Sequence, residues 1–139
     1  MKPMKDKVFI DTNILIYLYS TDQEDKRAAS QKVVEKNNCI VSTQVLQEFT
    51  NILRKKHDAE WKNIAAALDE VAASATVFVN KPETIKRAIE VAEKYKFSFY
   101  DSLIIASALE SNCTILYTED LQHKQLIYGK LQIVNPFVK

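Results

Sequence analysis

Glycine is nearly missing from this chain. Its 139 residues include 1 Gly and 3 Pro. That excludes collagen-like and linker-rich classes and argues against an all-β sandwich, whose many tight turns need both residues. Cysteine is scarce as well. Cys39 and Cys113 match no metal-binding spacing and suggest no disulfide framework, so a reducing cytoplasm is the expected compartment. Net charge is almost absent, with 19 Lys+Arg against 18 Asp+Glu. A nucleic-acid binder that works by electrostatics alone is far more basic, so any such contact must offset the protein's own acids locally. No apolar run approaches the roughly 18 residues of a membrane span, and no membrane association is expected. The run Val8 to Tyr19 is broken by Asp11, Thr12 and Asn13. Lys2, Lys5 and Lys7 before it give a superficial likeness to a signal peptide, but the embedded acid and the missing small-residue cleavage site argue against that. The 2 histidines, His57 and His123, have no Ser or Cys partner in a nucleophilic motif.

What is present describes a globular protein. Hydrophobic residues make up 47% and charged residues 27%, which excludes a disordered chain. The length suits one domain over residues 1–139 with a self-sufficient core.

Short apolar runs alternate with helical periodicity. Val8-Phe9-Ile10, Cys39-Ile40-Val41, Thr76 to Val79, Thr114 to Thr118 and Gln132-Ile133-Val134 read as five strands. Asn13 to Tyr19 reads as a short helix. Thr21 or Asp22 is placed to cap a helix running to about Asn37, with Ala28, Ala29, Val33 and Val34 inward. Ser42 caps a helix carrying Val45, Leu46, Phe49, Ile52 and Leu53, and Glu60 to Ala73 forms the next. Pro82 suits the first turn of a helix with Ile85, Ala88, Ile89 and Ala92 on one side. Ser98 opens a very apolar helix. Continuously apolar strands separated by helices are buried on both faces. The expected fold is a three-layer α/β/α sandwich with a central, mainly parallel sheet. Strand order is not readable from the pattern.

Four carboxylates stand out against this background. Asp11 ends the first strand, and Asp120 follows the fourth in Thr118-Glu119-Asp120. Ligands of open parallel sheets bind at the carboxyl ends of strands. Glu48 falls on the flank of an apolar helical stripe, with neither Lys nor Arg at 51 or 52. Asp101 sits in the first turn of an apolar helix. Each also has a structural role available: Asp11 as an N-cap, Ser98-x-x-Asp101 as a capping box, Glu48 as a half-exposed surface acid, Asp120 as a turn residue. If all four converge, their mutual repulsion raises their proton affinity. A hard divalent cation relieves it, and oxygen-only ligands select Mg²⁺ or Mn²⁺. Such a cation activates water for phosphodiester hydrolysis and bridges acidic protein to acidic substrate.

The segment Val8 to Leu15 resembles the opening motif of PIN-domain ribonucleases. Gln47-Glu48-Phe49, Phe99-Tyr100-Asp101-Ser102 through Ala108, and Leu116 to Leu121 look like the later motifs in order. Ile133 to Phe137 also looks like members of this family. The compact chain is similar to the toxins of VapBC-type toxin–antitoxin pairs. The resemblance implies that Asp11, Glu48, Asp101 and Asp120 are the catalytic, metal-binding acids, with Asn13 and Thr118 as supporting polar residues. Glu119 stands beside Asp120 as a rival fourth acid, and Lys124 occupies a place where relatives lead one to expect glycine. The implied activity is Mg²⁺-dependent endoribonuclease cleavage leaving 5′-phosphate and 3′-hydroxyl ends. The implied partners are RNA, a cognate antitoxin and a second copy of the chain.

Other residues carry weaker signals. Arg54, Lys55 and Lys56 are candidates for RNA phosphates or a favourable cationic helix end, with Lys124 and Lys130 as weaker versions. Tyr95, Phe97, Phe99 and Tyr100 read as packing residues rather than base-stacking ones, and Trp61 as packing between helices or protomers. A competing function is a catalytically inactive PIN-like module that binds RNA or protein. A phosphoacceptor domain also uses a strand-end Asp, but the acidic signatures of those families are missing here.

Overall fold

A computed structural model describes residues 6–139. Lys2 and Lys5 lie outside the described residues. Six strands form one sheet, β1 (Lys7–Ile10), β2 (Asn38–Ser42), β3 (Thr76–Phe78), β4 (Ile115–Tyr117), β5 (Leu126–Ile127) and β6 (Leu131–Val134). Six helices flank it, α1 (Thr12–Leu18), α2 (Glu24–Lys36), α3 (Thr43–Lys55), α4 (Trp61–Ser74), α5 (Pro82–Tyr95) and α6 (Phe99–Glu110). The strand order is β3-β2-β1-β4-β6-β5. Every pairing is parallel except β5 with β6. The expected α/β/α architecture is thus the observed one. No helix among the described residues is long and apolar enough to cross a membrane.

The strands are continuously apolar because the sheet is covered on both faces. Val8, Phe9 and Ile10 are buried along β1, and Ile40, Val41, Leu116 and Ile133 continue the core on its neighbours. Ile14, Val45, Phe49, Ile64 and Ile105 meet them from the helices. Each such side chain contributes about 1.5–3 kcal/mol relative to exposure. Helix α6 is buried from Ser102 to Leu109, as a helix apolar on all sides must be.

Helix starts follow local chemistry. Asp11 accepts the Thr12 N–H at 2.7 Å, Ser42 Oγ accepts the Val45 N–H at 3.3 Å, and Ser98 Oγ accepts the Asp101 N–H at 3.2 Å. Pro82 opens α5. Neither Thr21 nor Asp22 caps α2. Gln23 stands at that position without a side-chain bond, because Asp22 instead accepts the Ser20 hydroxyl at 2.7 Å. Ala28, expected inward, is exposed, and Ser30 joins Val33 in the buried face.

Helix α5 is rotated from its expected facing. Its buried residues are Thr84, Ala88 and Val91, and Ile85 and Ile89 are exposed. Ala88 packs with Leu103 and Ala106 of α6, and this contact between small residues sets which stripe faces inward. Trp61 is 62% exposed, with the Arg54 guanidinium 5.0 Å from its ring. Phe99 and Tyr100 are exposed too, edge to face with each other. Tyr95 and Phe97 do pack, stacked at 5.7 Å.

The sheet holds one strand more than the sequence pattern predicts. β5 and β6 form a hairpin through Tyr128 and Gly129, at φ 52° and 64°, closed by the Lys130 N–H to Ile127 O at 3.0 Å. Two consecutive positive φ angles mark a type I′ turn. The single glycine of the chain is spent there.

Candidate functional site

The strand order departs from β1 in two directions, to β2 and to β4. That switch point is where open α/β sheets build their crevices. Asp11 and Thr118 stand side by side there, at the ends of β1 and β4. The Asp11 N–H continues the ladder to Tyr117 O at 3.1 Å. Thr118 Oγ1 donates to Asp11 Oδ2 at 2.8 Å, and the Thr12 N–H holds the other carboxylate oxygen. Both Asp11 oxygens are therefore fixed, in a residue only 7% exposed.

Asn13, two residues into the chain beyond Asp11, reaches back to the same loop. Its Nδ2 donates to Asp120 Oδ2 at 2.9 Å and to Thr118 Oγ1 at 3.4 Å. The Asp120 N–H donates to Thr118 Oγ1 at 3.1 Å. Asp11, Asn13, Thr118 and Asp120 thus form one hydrogen-bonded group. Glu119 turns elsewhere. It accepts the Tyr17 hydroxyl at 2.5 Å and pairs with Lys26 at 3.0 Å.

Glu48 comes from α3 and is half-buried. Gln44, one turn earlier, donates from Nε2 to Glu48 Oε1 at 3.0 Å and to Tyr100 O at 3.3 Å. Asp101 follows Tyr100 in the first turn of α6 and is half-buried. The polar network continues to Asn80, just beyond β3. Asn80 Oδ1 accepts the Thr43 hydroxyl at 2.9 Å and the Gln44 N–H at 3.3 Å. Its Nδ2 donates to Ser107 Oγ at 2.8 Å.

The acids influence one another. Burial pushes Asp11 from 3.8 up to about 6, opposed by the bonds from Thr118 and Thr12 and reinforced by the charges of Asp120 and Glu48. Glu48 is raised by burial, against the Gln44 bond, and further by the charges of Asp101 and Asp120. All four carboxylates therefore share one electrostatic neighbourhood. Among the described residues, neither Lys nor Arg forms an ion pair with any of them. Nor are three Asp, Glu, His or Cys side chains grouped tightly enough, as they stand, to ligate one ion. The donor set is nevertheless all hard oxygen, and among the described residues no ion pair offsets its negative charge. In chemistry the residues fit a hard divalent cation.

Two amides repeat one arrangement. Asn13 and Gln44 each turn their NH₂ toward a carboxylate, and each leaves a buried carbonyl oxygen with no hydrogen-bond partner among the described residues. Gln44 and Asn80 escaped the sequence reading. Gln44 four residues before Glu48 was the only available signal.

The cationic candidates lie apart. Lys55 is seven residues past Glu48, about 10 Å along the helix axis. Arg54 is engaged locally, donating to Ala59 O at 3.1 Å. His123 Nδ1 accepts the Asn135 N–H at 2.9 Å, and His57 is exposed. Lys124 adopts φ 71°, a conformation that favours glycine.

The PIN domain family model matches residues 8–127. The chain belongs to the PIN domain family. No curated protein matches it in sequence. Among solved structures, a toxin–antitoxin complex from Klebsiella pneumoniae shares 22% identity over 93% of this chain and 97% of that one, with a TM-score of 0.71. The Mycobacterium tuberculosis toxin VapC20, described as cleaving the sarcin–ricin loop, shares 16% identity over 81% and 91%, with a TM-score of 0.67. VapBC2 from Rickettsia felis, bound to a DNA fragment from its promoter, shares 17% over 82% and 88%, at 0.60. At these identities the likeness is one of fold. The strand-end position of Asp11 and the order of the four acids are features of this PIN chain's own sequence and structure.

Proposed function

We propose that this PIN-domain protein is a Mg²⁺-dependent endoribonuclease and the toxin of a toxin–antitoxin pair. The observation that carries the reading is the placement of the four acids: Asp11 and Asp120 share one hydrogen-bonded group at the strand ends, and Gln44 ties Glu48 to the carbonyl preceding Asp101. Carboxylates gathered at the switch point, two of them with raised proton affinity (Asp11 and Glu48), and none with a cation as ion-pair partner among the described residues, suit a metal site better than a structural one. Family membership supports it, as do fold relatives titled as toxins and toxin–antitoxin complexes. Mn²⁺ is an alternative ion with the same oxygen preference.

In this reading Asp11, Glu48, Asp101 and Asp120 hold the cation. When bound, it supplies an activated water and charge stabilisation at the phosphoryl oxygen. The chain's own groups orient the acids. Thr118 and the Thr12 N–H fix both oxygens of Asp11, and Asn13 holds Asp120 by one oxygen. At pH 7 Asp11, at about 6, is mainly ionised and able to ligate. Glu119, committed to Tyr17 and Lys26, stays outside the ligand set. The partner is an antitoxin segment that covers the acidic crevice.

The test is cleavage of end-labelled total RNA by purified protein with Mg²⁺, with Mn²⁺ and with chelator, beside folded Asp11→Asn and Asp101→Asn variants. Metal-dependent cutting lost in both variants is the expected result. RNA left intact under every metal, by a sample whose mass excludes a copurified antitoxin, overturns the reading.

A further inference from the structure

Gln44 occupies an unusual place for an amide. It is the second residue of α3, 7% exposed, and its side chain spans two helices. Both of its Nε2 partners, Glu48 Oε1 and Tyr100 O, are acceptors. The amide orientation is therefore fixed by chemistry, since a flipped amide would set oxygen against oxygen. One contact falls on a carboxylate of the acidic group, and the other falls on the carbonyl preceding Asp101. Gln44 thus ties together the helices that carry two of the four acids. Its backbone is anchored in turn, through the Gln44 N–H to Asn80 and from Asn80 to Ser107 on α6. The Oε1 atom, buried and without a protein partner among the described residues, is the second observation. A buried carbonyl oxygen is normally satisfied, so this one is available to accept from an ordered water of the filled site.

We propose that Gln44 is a positioning residue for the cation site. Its NH₂ group fixes the Glu48 carboxylate relative to the α6 turn bearing Asp101, so that the two acids can serve one ion. This rests on the reading of the four acids as cation ligands. Partners that orient metal ligands typically carry 10–100-fold of metal affinity.

The experiment measures Mn²⁺ binding by calorimetry to the full chain and to Gln44→Met, with thermal unfolding of both in chelator. RNA cleavage kinetics run in parallel. Mn²⁺ affinity falling roughly 10–100-fold, with kcat reduced and KM for RNA unchanged, is the expected result. The same loss must disappear when Gln44→Met is made in a Glu48→Gln background, because the two groups act as one unit. Should Gln44→Met fail to fold, Gln44→Asn, whose amide falls one methylene short of both acceptors, is expected to show the same loss. Equal affinity in the native chain and the folded variant overturns the role of Gln44 alone. A native chain that binds no Mn²⁺ overturns the metal reading and this proposal with it.

Discussion

Asn13 and Asp120 lie 107 positions apart in the chain, yet the Asn13 Nδ2 group donates to Asp120 Oδ2 at 2.9 Å. Glu119, the adjacent acid, faces Tyr17 and Lys26 instead. The two neighbours are thereby assigned different work. Asp120→Asn is expected to lower metal-dependent cleavage by at least 10-fold, whereas Glu119→Gln should leave it within a few-fold of native. The Glu119–Lys26 pair is partly exposed, and breaking it should cost no more than about 1 kcal/mol. Parallel cleavage assays and denaturant titrations read both effects, and the reverse ranking would make Glu119 the fourth acid.

Asp11 gives a pH dependence with a definite sign. Its carboxyl holds a proton more tightly in the folded state, at about 6 against 3.8. The stability this confers is complete below about pH 4 and is lost as pH rises through about 6. The difference amounts to about 3 kcal/mol for this group. Urea unfolding in chelator should therefore show the native chain losing stability relative to Asp11→Asn between about pH 4 and 7. A difference between the two proteins that stays flat with pH would contradict the buried, repelled state of Asp11.

Asn80 is a structural bolt between α3 and α6. Asn80→Ala removes acceptors for the Thr43 hydroxyl and the Gln44 N–H, and a donor to Ser107. Leaving such groups unpaired costs about 1–3 kcal/mol. Chemical denaturation should register that loss, and a cost near zero would mean that water replaces Asn80 freely.

Much of this arrangement was legible in the sequence, for physical reasons. A buried parallel strand is a short apolar run, so an acid at its end announces itself, as Asp11 does. Ser42 and Ser98 act locally, within three residues, and their caps were readable. The supporting amides were not. Gln44 meets Tyr100 56 positions away, and Asn80 meets Thr43 37 positions away. No local pattern encodes such contacts. β5 was missed because a strand of 2 residues has no periodicity. The facing of α5 was misjudged because Ala88 against Ala106, rather than the larger Ile85 and Ile89, sets the helix contact.

Lys124 offers a stability prediction away from the acids. It holds φ 71° while its N–H donates to Ile133 O at 2.7 Å. A left-handed conformation costs an L-residue about 1–2 kcal/mol, and glycine recovers this less about 0.4–1 kcal/mol of chain entropy. Lys124→Gly should thus gain up to about 1 kcal/mol, and Lys124→Val should lose stability, since β-branched residues resist positive φ. Thermal unfolding of the two variants distinguishes them, and identical melting would remove the strain argument.

The position of β1 between β2 and β4 has a consequence for the order in which the protein is made. Asp11 is synthesised more than a hundred residues before Thr118 and Asp120, which complete its surroundings. A growing chain that has not yet reached β4 carries Asp11, Glu48 and Asp101 but lacks the strand whose Tyr117 carbonyl the Asp11 N–H bonds. The acidic group is therefore completed only after β4 has been made, and a chain truncated before Thr118 is expected to leave Asp11 without its Thr118 and Asp120 surroundings.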